Sequence, residues 1–220
     1  MERSRRAMNP DNYNEDGTIK KHGNNRVVWN KSNHYLKYQD ELKELYRKQA
    51  DVRKYQHECL ANEIISLGDN IYVETMNFSG LAKKSTKTEK NDNGKFKRKK
   101  RFGKSIGNRA PSMLLGIVDR KLSYYGKSLI KIDTWNAKAS QFNHFDGAYN
   151  KKMLSQRWNN FNGIRLQRDL YSAFLIMNVA EDLKSFDIDK CNERFENFYR
   201  LHNLEVERLS GYKNLSSIGI

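Results

Sequence analysis

Cysteine is nearly absent: Cys59 and Cys191 stand far apart and no CxxC occurs. That excludes a disulfide scaffold and a thiolate zinc site, so no zinc is expected and both thiols read as inert and buried. No run of about 18 apolar residues exists, which excludes a membrane-spanning helix of ordinary length. The N-terminus MERSRRAMNP lacks the apolar stretch of a signal peptide, and the expectation is a cytoplasmic protein with no membrane partner. Apolar residues are also sparse, at 37% with a mean hydropathy of -0.92, so the 220-residue chain can bury one good-sized core while large parts stay solvated or bound. Acidic residues number 26 against 41 Lys and Arg, a net charge of +15. Such an excess favours a polyanionic partner, and nucleic acid is the commonest one.

Against that basic background, two acids in apolar settings carry information. Ile71-Tyr72-Val73-Glu74, entered through Gly68-Asp69-Asn70, reads as a short buried strand ending in a carboxylate. Ligands and chemistry collect at the carboxyl ends of strands in open α/β sheets, so Glu74 is either a catalytic acid or metal ligand, or a solvated strand-end charge. Asp169 opens the apolar run LYSAFLIMNVAEDL and is either a helix N-cap or a second oxygen ligand. Together the two can hold Mg²⁺ (or Mn²⁺), which takes hard oxygen donors and keeps other positions for water and substrate phosphate.

Along the chain, residues 1–31 are rich in Asn, Gly and charge, have no periodicity and read as an irregular basic segment. Ser32 and Gly68 bracket a long amphipathic helix on which Tyr35, Leu42, Leu45, Val52, Cys59, Leu60, Ile64 and Leu67 recur at helical spacing. Its polar first half is expected to protrude, and Glu44 and Lys48 form a favourable i,i+4 pair. Residues 83–104 hold eleven basic residues against Glu89 and Asp92, with Phe96 and Phe102 interleaved. Such a run is either an idle solvated loop or a phosphate-binding one, with Lys97, Arg98, Lys99, Lys100, Arg101 and Lys104 as the backbone contacts.

Helical periodicity returns over 106–125, with the regular helix beginning near Pro111. A second strand is expected over 128–133, giving the helix and strand alternation of an α/β sheet. Residues 135–163 look aromatic, Asn-rich and irregular. A final amphipathic helix spans about 189–209, with Cys191, Phe195, Phe198, Leu201 and Leu204 on one side.

Taken in order, RRAMNPDNYN, IYVETMNFSGL, KKRFGKS, KASQ and QRDLYSAFLIMN resemble the OrfB (TnpB) proteins of bacterial insertion sequences, over residues 1 to about 180. The resemblance implies an RNase H-like (RuvC-like) α/β fold, and a transposase-related, RNA-guided, metal-dependent DNA endonuclease with DNA and a guide RNA as partners. It places the family's second catalytic carboxylate on Glu74. The final Asp of its DRD pattern falls on Asp169, with Arg168 matching the Arg, and expected to contact nucleic acid, and Gln167 replacing the first Asp. The family's T-S-Q turn falls on Ala139-Ser140-Gln141.

Two departures follow. The strand bearing the family's first catalytic Asp would precede RRAMNP, so an N-terminally incomplete nuclease domain with impaired catalysis is expected; the alternative is an inactive nucleic-acid-binding remnant. Where relatives carry a four-cysteine ribbon, this chain has FNHFDG and WNNFNG, and His144 reads as a surface or core histidine rather than a ligand. The expected organisation is 1–31, an incomplete nuclease domain over 32–183, and a helical extension over 184–220.

Overall fold

The computed structural model describes residues 1–220 apart from 21, 22, 24–26, 84, 85, 87, 97–101, 154, 213–218 and 220. Two compact units divide the chain, Met1–Leu60 and Ala61–Ile220.

The first unit departs from the irregular segment expected at 1–31. Helix α1 (Glu2–Met8) is followed by a 3₁₀ turn at Pro10–Asn12 and an antiparallel bridge between Tyr13 and Ile19. Side-chain amides organise this segment where apolar periodicity is lacking. Buried Asn9 donates Nδ2 to the carbonyls of Arg5 and Asn30, both at 2.8 Å, and its Oδ1 accepts the Asn30 N–H. The Arg5 guanidinium sits 5.0 Å over the Trp29 ring, and Arg6 sits 5.2 Å over Tyr13. Helix α2 (Asn33–Leu67) starts where the Ser32 hydroxyl accepts the Tyr35 N–H at 3.1 Å, as an N-cap does. Most of its apolar residues are not inward: Leu42, Leu45, Val52, Leu60 and Leu67 are all exposed, Ala61 alone is fully buried, and Ile64 packs on the core as expected. Glu44 pairs most closely with Arg47, whose planar fork meets both carboxylate oxygens, while Lys48, expected as its partner, attracts it from further off.

The second unit is layered. Strand β1 (Tyr72–Glu74) pairs in parallel with β2 (Ile130–Ile132), in the register Tyr72 to Ile130 and Glu74 to Ile132. A parallel pair needs a crossover, and it includes α3 (Phe78–Ala82), α4 (Gly103–Arg109) and α5 (Pro111–Ser123). Within 106–125 the regular helix begins at Pro111 as expected, and the residues before it belong to the separate helix α4. Ala110 precedes a proline, is biased away from right-handed helix, and adopts φ 43. Pro111 then opens α5 at a position where no N–H is needed.

Alternation along β1 separates two cores. Ile71 and Val73 face Ala61, Ile64, Ile117, Val118 and Leu122, from the end of α2 and from α5. Tyr72 faces the other core, which gathers Ile132, Leu166, Tyr171, Phe174, Leu175 and Cys191. The unit is thus helix on sheet on helix, a mixed architecture compatible with α/β.

Residues 135–163 are more ordered than their composition implies. They contain α6 (Thr134–Ala137, which begins one residue earlier), the hairpin β3 (Phe142–Asn143) with β4 (Ala148–Tyr149), and β5 (Trp158–Phe161). Strand β5 pairs with β6 (Ile164–Gln167) across a two-residue turn, Asn162-Gly163, both at positive φ. Asn-Gly is the sequence that such a turn favours, because both residues tolerate left-handed backbone. His144 is buried, and its Nδ1 lies 2.6 Å from the Tyr171 hydroxyl, so it is a core histidine.

Helix α7 (Arg168–Met177) leads to α8 (Ile188–Ser210). The inner face of α8 is Cys191, Phe195, Phe198 and His202; Leu201 and Leu204, expected inward, are 48% and 53% exposed. His202 takes their place because its ring nitrogen has a partner in the core. α8 shares its aromatic core with α7, so this helix is built into the unit.

Candidate functional site

Glu74 ends β1 on the face that Tyr72 presents to α7, since side chains two apart share a side of a strand. It is half-buried and takes no hydrogen bond or ion pair among the described residues; burial alone raises its pKa above the ordinary glutamate value of 4.5. The backbone just beyond is pinned. Thr75 N–H donates to the Thr134 hydroxyl at 3.0 Å, and the Thr75 hydroxyl donates to the Ile132 carbonyl at 2.8 Å. These two bonds tie the carboxyl ends of β1 and β2 together and fix the direction in which Glu74 leaves the sheet.

Asp169 is the second residue of α7, and the cap of that helix is Gln167. The Gln167 Oε1 accepts the N–H groups of Asp169 at 2.7 Å and Leu170 at 2.9 Å. With capping done by a glutamine, the Asp169 carboxylate is left for other work. Its side chain is 55% exposed and is approached only weakly, by Arg168 Nε at 3.3 Å and Gln167 Nε2 at 3.5 Å. The Arg168 side chain is 12% exposed and donates to the Gln156 carbonyl at 3.0 Å. That arrangement makes it a tether between the β5 approach and α7, with little surface to offer a phosphate.

A groove of about 470 Å³ runs along the edge of β1 that β2 does not occupy, lined among others by Tyr72, Glu74, Leu114, Ala173, Ile176 and Met177. Asp169, Ala173, Ile176 and Met177 fall on one face of α7 by spacing. Asp169 therefore lies on the groove-facing side, one turn or about 6 Å along the axis before Ala173. It is not itself a lining residue. Among the described residues no group of three or more His, Cys, Asp or Glu is placed to hold a metal. The neighbouring acid, Asp133, is committed elsewhere, capping α6 through Trp135 and Asn136.

Of the basic arm, Lys104 is exposed on the first turn of α4, whereas Lys97, Arg98, Lys99, Lys100 and Arg101 lie outside the described residues. The ends of the arm are held close. A Cβ on Gly103 would stand 2.7 Å from the Ala82 carbonyl oxygen, so only glycine allows α4 to approach α3 this closely. Within the arm, Lys90 and Phe96 form an antiparallel bridge closed by Gly94 at φ 73, and Lys90 Nζ lies 5.2 Å over the Phe96 ring.

Two positioning residues escaped the sequence reading. His202 Nε2 accepts the Gln167 N–H at 2.9 Å, and Asn178, buried at the end of α7, bonds the Phe174 carbonyl and Arg194. Their partners are 35 and 16 residues away, a separation that no local pattern signals. Replacing Gln167 by alanine should cost about 1–2 kcal/mol in urea unfolding, the upper range for a lost N-cap because the group is fully buried. A loss below about 0.5 kcal/mol would show that another group takes over the cap.

No family model matches the chain, and no curated protein matches its sequence. Among the described residues no helix is long and apolar enough to cross a membrane.

Proposed function

We propose that the chain is an OrfB/TnpB-type protein: a transposon-associated, RuvC-like (RNase H-like), metal-dependent endonuclease that cleaves DNA under a guide RNA, in the cytoplasm. The observation that carries this reading is a half-buried carboxylate, without a partner among the described residues, at the carboxyl end of a parallel strand, facing a helix whose glutamine cap leaves the Asp169 carboxylate out of the capping bonds. A desolvated acid with no partner is costly, and such groups cluster where a cation or substrate completes the set.

The donor chemistry fits Mg²⁺ or Mn²⁺. Two carboxylates with solvent and phosphate access suit a small hard cation that keeps most of its water. Glu74 and Asp169 would hold it, and when bound it would supply an activated water and stabilise the leaving oxygen of a phosphodiester. The chain's own residues do the rest. Arg168 orients the Asp169 carboxylate from a largely buried position, the Thr75–Thr134 bonds fix Glu74, and the arm around Lys104 holds the sugar-phosphate backbone by charge.

The lack of any three-ligand cluster among the described residues favours a second reading, a nucleic-acid-binding protein without turnover. Plasmid cleavage with Mg²⁺ and a cognate guide RNA separates the two. The nuclease reading expects cutting that is lost in Glu74→Ala and in Asp169→Ala, with binding retained. Binding without cutting by the unaltered chain supports the second reading, and undetectable binding at low salt defeats both.

A simpler measurement bears on Glu74 itself. Because burial raises its pKa, its contribution favours the fold below about pH 4.5 and turns against it as pH rises through the folded value. Glu74→Gln should therefore stabilise the chain at pH 7, a gain that vanishes at acid pH. No gain at pH 7 would mean the carboxylate is already compensated.

A further inference from the structure

Helix α2 carries a second pattern, of period 3.5, on its exposed length within the first unit. Tyr35, Leu42, Gln49 and Gln56 alternate at spacings of three and four with Tyr38, Leu45, Val52 and Cys59, which are the inward a and d positions of a heptad repeat. Beyond Tyr35, which Lys31 approaches from above, the stripe is open to solvent: Tyr38 is 42% exposed, Leu45 63% and Val52 55%. The outer face is occupied differently. Asp40 with Lys43, Glu44 with Arg47 and Arg47 with Asp51 form ion pairs along the helix, and all five residues fall at positions b, c and f, away from the stripe.

Two charges bordering the stripe have no such partner. Glu41 and Lys48, both at position g, form no ion pair among the described residues. Charges at e and g set orientation and register in coiled coils. A parallel pair of identical helices would place Lys48 beside Arg53 of the second copy, a like-charge contact. An antiparallel pair with its two-fold axis between residues 43 and 44 stacks Leu42 on Leu45, Tyr38 on Gln49 and Tyr35 on Val52 of the second copy. In that register Glu41 meets Lys48 of the second copy, and the symmetry repeats the contact. A slip of one heptad in either direction instead sets Glu41 against Glu41, or Lys48 against Lys48. Only one register is complementary.

We propose that this face of α2 binds a second copy of the chain as an antiparallel two-stranded coiled coil over residues 35–52, about 27 Å of helix. Pairing covers the exposed Leu and Val side chains, and the polar Gln49 layers fix the register at some cost in affinity.

Sedimentation velocity on the full chain over a concentration series tests this. The unaltered chain is expected to move from monomer to dimer as concentration rises. Glu41→Lys alone and Lys48→Glu alone, each replacing two attractive contacts by two repulsive ones, should each weaken self-association by about tenfold or more. An equimolar mixture of the two variants should recover the dimer, and so should the double variant. Both residues are exposed, so circular dichroism should show unaltered folding in all variants. A chain that stays monomeric at every concentration overturns the proposal. So does a dimer indifferent to the single changes, which would use another surface, and so does a dimer strengthened by Lys48→Glu alone, which would be parallel.

Discussion

Replacing Phe174 by alanine is expected to remove about 3–5 kcal/mol from the stability of the second unit. The ring is 3% exposed and stacks on Phe198 with centroids 4.3 Å apart, while Phe195 meets it edge-on at 6.1 Å. Deleting it loses the transfer energy of a full aromatic side chain, leaves a cavity between α7 and α8, and forfeits about 0.5–1.5 kcal/mol of ring–ring attraction. Since whole domains are stable by only about 5–15 kcal/mol, much of the population should unfold in mild denaturant. The control is Leu201→Ala on the adjacent helix. Its side chain is 48% exposed, and the expected change is within about 0.5 kcal/mol. Urea titration of both variants decides the matter: equal losses would mean that α8 is rotated from the orientation described.

A second large effect should come from acid, in a window set by His144. Burial among Phe145, Phe174 and Phe195 lowers its pKa from 6.5 to about 4, because the charged ring would be desolvated. The Tyr171 hydroxyl accepts the His144 backbone N–H at 3.1 Å and lies 2.6 Å from Nδ1, to which it can donate only while that nitrogen is unprotonated. The unfolded chain takes up a proton below about pH 6.5, whereas the folded chain does so only near 4. The contribution of the neutral ring is therefore complete above pH 6.5 and is lost progressively as pH falls to about 4, by roughly 3 kcal/mol in all. Aspartates whose pKa values are lowered, such as Asp69 beside Lys127, lose their contribution only below the ordinary value of 3.8. A stability profile that declines between pH 6.5 and 4, and loses that decline in His144→Phe, is the expected result; an unchanged slope in the variant would place the titrating group elsewhere.

What could be seen in advance followed period and punctuation. Three β-prone residues before Glu74, the proline opening α5, and the apolar runs of α7 and α8 each announce an element from a handful of neighbours. The hairpins between 135 and 163 were masked by their brevity: strands of two and four residues show too little alternation, although Asn162-Gly163 is a turn signal in its own right. At the site, Glu74 is placed by its strand. Asp169 needed coordinates, because nothing local says that Gln167 rather than Asp169 caps the helix. The inner face of α8 was misjudged for a related reason. Hydrophobicity favours Leu201, but His202 has a backbone N–H waiting in the core, and that bond outweighs the preference of a leucine for burial.

The clamp at Gly103 and Ala82 has a consequence for the cationic segment between them. With its roots joined, the segment is a closed excursion, and lengthening such a loop costs only about 0.6 kcal/mol per doubling. Its reach and charge are thereby uncoupled from the energetics of the scaffold. Insertions, deletions or added lysines between residues 88 and 102 should change the length and charge of this excursion, while the melting behaviour of the body hardly moves.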